Sequence, residues 1–172
     1  MKERSIIVTS AAGLMAGCIL GIAGSFVASP ALRSIAWAID SSGLILAGIL
    51  LALYFFKKEN VAAAGGFLIF AIAETIIFSS CSTNPDNNIP AFASGSLLWA
   101  LSLAVISLQK IFPALVRITG MIAALLFTHV SVLIFIGQPV DALTKPFPFF
   151  AYPFFAATLA GWALTLWRKQ LL

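Results

Sequence analysis

Charge is scarce in this chain: Asp, Glu, Lys and Arg together make up 9% of its 172 residues. A water-soluble domain of this length keeps roughly a quarter of its residues charged so that its surface stays in water. The shortage excludes a soluble globular protein, and the short stretches between apolar runs leave no space for an attached soluble domain. Histidine occurs once and cysteine twice. A single histidine excludes haem held by two histidines of this chain. Cys18, in the middle of an apolar run, and Cys81, at the end of another, form no disulfide framework. HExxH and CxxC patterns are absent, so no metal centre is expected and no particular cofactor is indicated. No basic helix interleaved with aromatics is present either, and no nucleic-acid partner is expected.

What the chain has is apolar length. Hydrophobic residues make up 61% of it, and its mean hydropathy is +1.06. Six apolar runs fall at about 7–28, 37–56, 61–80, 93–109, 114–136 and 148–167. Each is near the ~20 residues that a helix needs to cross ~30 Å of hydrocarbon. The expected fold is all-α: a single integral membrane domain over residues 1–172, a bundle of six transmembrane helices. Lys2 and Arg4 precede the first run, but that run exceeds the ~7–15 residues of a signal-peptide core. It reads as a retained helix.

Basic residues set the orientation. With a cytoplasmic N-terminus, the inner side carries Lys2, Arg4, Lys57, Lys58, Lys110, Arg117, Arg168 and Lys169, and the outer side only Arg33 and Lys145. Both termini are therefore expected in the cytoplasm, and the location is the plasma membrane of a bacterium (its inner membrane), crossed several times. The net charge of +4 reports this topology.

Glycine marks the packing. Gly13, Gly17 and Gly21 repeat every four residues in the first run, a face that lets another helix backbone approach closely. Gly43 with Ala47, Gly120 with Ala124, and Ala157 with Gly161 are weaker pairs of the same kind. The Gly13–Gly21 face suits packing within the bundle; docking of a second copy or of a partner membrane subunit is the alternative. Pro146, Pro148 and Pro153 bracket the start of the sixth run, so its outer turn should be irregular. Ser82–Pro90 is rich in turn formers.

The candidate site comes from polar residues in apolar surroundings. Glu74 lies within the run Val61–Ser80, where a charged side chain costs roughly 2.5–3.5 kcal/mol at the helix centre and so faces a partner, a cavity or a substrate. Counting inward at ~1.5 Å per residue places Glu74 and His129 about 9–10 Å from the outer boundary, and Asp40 about 5 Å. Ser96 and Tyr152 open the outer ends of the fourth and sixth runs. The polar side chains thus gather in the outer half. They point to an outward-facing pocket in which Glu74, Asp40, His129, Tyr152 and Ser96 bind a ligand. His129 shares a stripe with Ile122, Leu125 and Leu126, beside the small face of Gly120, Ala124, Thr128 and Ser131, which sets it at a helix boundary. The leading expectation is a component of a small-solute or ion transporter in contact with the lipid bilayer. The alternatives are a structural or accessory subunit docking through the glycine face, and an intramembrane hydrolase built on Ser96 and His129.

Overall fold

The computed structural model describes residues 3–83 and 89–171, without the side chains of 81–83 and 169–171. Six helices follow one another: α1 Glu3–Phe26, α2 Pro30–Lys57, α3 Val61–Thr83, α4 Ile89–Leu108, α5 Ala114–Phe135 and α6 Tyr152–Leu171. Each packs on the next, and α6 closes the ring on α1. The described residues contain no strand. Five helices, α1 to α5, are long and apolar enough to cross a membrane. The sixth is not among them, its side chains being described only as far as Arg168. It belongs to the bundle nonetheless, with Leu159, Trp162, Ala163 and Leu166 all buried.

The largest boundary correction is at α2, which begins at Pro30 and not near residue 37. Ser29 caps it, its hydroxyl accepting from the Leu32 amide, and proline takes the first helical position, where the missing N–H is no loss. The turn at 58–60 that joins α2 to α3 is tight. Glu59 takes φ +60, the Asn60 amide donates back to Phe55 carbonyl, and the Asn60 side chain caps α3 by accepting from Ala63. The turn-rich stretch between α3 and α4 lies, at residues 84–88, outside the described residues.

The glycine face of α1 packs on α2. A Cβ at Gly13 would come within 2.5 Å of the Gly43 carbonyl oxygen, one at Gly21 within 2.8 Å of Asp40 Oδ2, and one at Gly17 would run into the Leu44 side chain. Within the chain, α2 packs against the face of Gly13, Gly17 and Gly21. Close backbone approach of this kind gives dispersion contact where lipid offers no hydrophobic gain.

Towards the end that carries both termini, the centre of the bundle is filled by rings. Phe55 stacks on Phe67 at 5.5 Å, and Trp162 sits 5.1 Å from Phe67, 5.8 Å from Phe70 and 5.9 Å from Phe112. Arg117 of α5 donates its Nε to the Ser107 carbonyl at 2.7 Å. That carbonyl belongs to the last turn of α4, where no intrahelical donor remains, so the cation caps the negative end of the helix.

Candidate functional site

The other half of the bundle holds a cavity. Five helices contribute to its wall, α1 through Gly17, Cys18 and Gly21, α2 through Trp37, Asp40 and Ser41, α3 through Glu74, α4 through Trp99, and α6 through Tyr152 and Phe155. Its water-accessible volume is about 60 Å³. A single water needs ~10–15 Å³ by this kind of measure, so there is space for several waters or one small solute.

Glu74 is 1% exposed and sits at the inner end of this space. The Trp99 indole Nε1 donates to its Oε1 at 2.8 Å, and the Ser41 hydroxyl is its second hydrogen-bonding neighbour. A buried carboxyl oxygen left without a donor would carry its full desolvation penalty, so these two donors explain how the helix tolerates the residue. Asp40 faces Glu74 across the cavity closely enough to interact electrostatically. Its Oδ1 is buried and has no hydrogen-bond partner among the described residues. Because α2 starts at Pro30, Asp40 lies ten residues into that helix, about 15 Å by helical rise, deeper than the 5 Å expected from the apolar run.

Further polar atoms edge the same space. Cys18 is a free thiol, half-buried, and its Sγ donates to the Ala156 carbonyl of α6. The Trp37 indole donates to the Gly21 carbonyl at 3.3 Å, fixing that ring against α1. Arg33 donates to the Val27 carbonyl beyond the end of α1 and lies over the Trp37 ring. Among the described residues no cation lines the cavity, and the charged groups that do are Asp40 and Glu74.

A non-helical segment at 136–151 crosses this end of the bundle between α5 and α6. Tyr152, the first residue of α6, donates its hydroxyl to the Ala142 carbonyl at 2.9 Å, and both residues line the cavity. Val140 and Ala151, within the segment, are buried. The irregular approach to the sixth helix that the prolines suggest is therefore present, and it forms part of the cavity wall.

Of the five residues singled out in the sequence, the structure brings Glu74, Asp40 and Tyr152 to one cavity. The other two stand elsewhere. His129 is exposed on the outer face of α5, with its ring edge-on to Phe147 at 5.4 Å. Ser96 is fully buried in α4, away from the cavity wall, and its hydroxyl has no hydrogen-bond partner among the described residues. No Ser96–His129 hydrogen bond forms, so the nucleophile–base pair needed by a hydrolase is not assembled. The cause is angular: His129 shares its depth with Glu74 but points from α5, which contributes nothing to the cavity.

Trp99 and Ser41 are neighbours of Glu74 that residue-by-residue reading passes over. The signal for Trp99 lies in the hairpin. Glu74 is nine residues before the end of α3 and Trp99 ten after the start of α4, so antiparallel packing sets them at one level. The described residues hold no group of three His, Cys, Asp or Glu side chains placed to bind a metal ion. No family model matches the chain, and no curated protein or solved structure matches it.

Proposed function

We propose that this chain is a membrane protein that takes a small cation or protonated amine into the cavity around Asp40 and Glu74, as a component of a solute or ion transporter. The observation that carries this reading is the pairing of two carboxyl groups from facing helices in one cavity that no cation of the described residues lines. Intramembrane carboxyl groups that face a cavity are the usual means of handling a proton or a cation within a bundle. The aromatic walls from Trp37, Trp99, Tyr152 and Phe155 suit the same ligand, because ring faces attract cations. The cavity lies in the half of the bundle away from the termini. With eight of ten basic residues towards the terminal side of the chain's spans, that half faces outward under the positive-inside rule. The location in a bacterial inner membrane belongs to the same proposal.

The test is thermal unfolding of the detergent-solubilised protein titrated with sodium, potassium, ammonium and methylammonium chloride at constant ionic strength. At least one of these ions should raise the Tm saturably, and Glu74→Gln and Asp40→Asn should each abolish that rise while remaining folded. A Tm that responds to none of them, or responds equally in both variants, would overturn the reading.

A further inference from the structure

A second open space lies on the lipid-facing side of the seam between α5 and α6, and it owes nothing to the cavity. It is a groove of about 510 Å³ lined by Pro113, Leu115, Val116 and Thr119 from the α5 side and by residues from Ala157 to Arg168 on α6. Its floor forms where Val116 packs on Gly161, a position where any Cβ would collide with the valine. Its polar atoms are satisfied internally: Thr158 donates to the Thr119 hydroxyl at 3.0 Å, and Thr165 donates to the Gly161 carbonyl at 2.7 Å. The surface offered to the surroundings is therefore apolar, except at Arg168.

Length and charge identify the occupant. From Ala157 to Arg168 is eleven residue steps, about 16 Å by helical rise and close to one leaflet of a ~30 Å hydrocarbon layer. Arg168 stands at the end near the termini, where a lipid phosphate would lie. Lys110 and Arg117 belong to the same end, and α4, α5 and α6 contain no acidic residue. The ion pair among the described residues joins Glu3 and Lys58, so Arg168 has no counter-charge from them. We propose that the groove binds one anionic phospholipid, its acyl chain along Val116 and Gly161 and its phosphate on Arg168. A headgroup that carries its own ammonium fits less well, because that group would meet the basic end of the bundle.

Native mass spectrometry of the detergent-solubilised protein tests this with dioleoyl phosphatidylglycerol and dioleoyl phosphatidylcholine, which share their acyl chains. The one-to-one adduct should favour the anionic lipid by about fivefold, the effect of one basic residue near a headgroup. Arg168→Gln should erase that preference. Ala157→Trp, at an exposed position, should lower retention of both lipids while leaving the Tm within a few degrees of the parent. Equal retention of the two lipids, a preference that survives Arg168→Gln, or competition of the anionic adduct by inorganic phosphate alone would overturn the proposal. So would a protein dimer that Ala157→Trp dissociates, since a second copy would then be the occupant.

Discussion

Trp99 and Trp162 are both buried, yet their indole nitrogens meet different surroundings. Trp99 lies at the cavity and gives its N–H to Glu74. Trp162 lies among Phe67, Phe70 and Phe112, and its N–H has no hydrogen-bond partner among the described residues. One ring is held by directional chemistry and the other by shape. The half of the bundle around Trp162 is a packed scaffold, whereas the half around Trp99 places carboxyl groups where packing alone would never put them.

The largest effect should come from damaging the scaffold. Phe67 is fully buried and contacts Phe55, Phe112 and Trp162. In a bilayer the transfer part of a core deletion is small, because lipid tails are as apolar as the core. The void remains, and at ~24 cal/mol per Å³ a lost phenyl ring costs about 2 kcal/mol. Phe67→Ala should therefore lower stability by that amount in denaturant titrations. Its cation-dependent rise in Tm should survive, since Phe67 is remote from the cavity wall. Loss of that rise would mean the two halves are not separable.

A sharper comparison replaces each tryptophan by phenylalanine. Trp99→Phe leaves a Glu74 oxygen without its donor, a loss of about 1–3 kcal/mol. Trp162→Phe removes an N–H that has no partner, so only its lost volume counts. Trp99→Phe should be the more destabilising by about 1 kcal/mol or more, and the excess should shrink in a Glu74→Leu background, where no carboxyl is left to satisfy. Equal costs in the parent protein would break the distinction drawn between the two rings.

Much of the scaffold was legible in advance. Long apolar runs place all six helices, and the four-residue spacing of Gly13, Gly17 and Gly21 marks the face that meets α2. The error at α2 has a local cause. Ser29–Pro30 resembles the end of α1 as well as the cap of α2, and the polar turn Leu32–Ser34 hides the first residues of the helix from a hydropathy count. That error moved Asp40 towards the surface. The site was half legible for a different reason: counting along an axis gives depth, while membership of a cavity also needs the angle about the axis. Glu74 and His129 share a depth, but His129 points outward beside the exposed Leu125 and Val132. The stripe it shares with Leu125 carried that angle, and the symmetry of the α3–α4 hairpin carried the Glu74–Trp99 pair.

The smallest effect lies outside both halves and tests what a carboxyl group does when water is present. Glu3 and Lys58 pair at 2.6 Å between the start of α1 and the turn after α2, each about half exposed. The hydrogen bond from Lys58 to Glu3, reinforced by the opposite charge, holds the lysine above its ordinary value of 10.5. A raised lysine contributes stability that is fully present below its unfolded-state value and is lost as pH rises through the folded one. The Tm advantage of the parent over Glu3→Gln should thus be constant from pH 7 to 9 and disappear above about 10.5. It should also vanish in 1 M salt, where the screening length falls to ~3 Å. The Trp99–Glu74 contact lies away from bulk solvent, so in a salt whose cation gives no saturable rise in Tm its contribution should survive at ~1 M. If such a salt removes both effects alike, screening reaches Glu74 as it reaches Glu3, and the contrast between the two carboxyl groups fails.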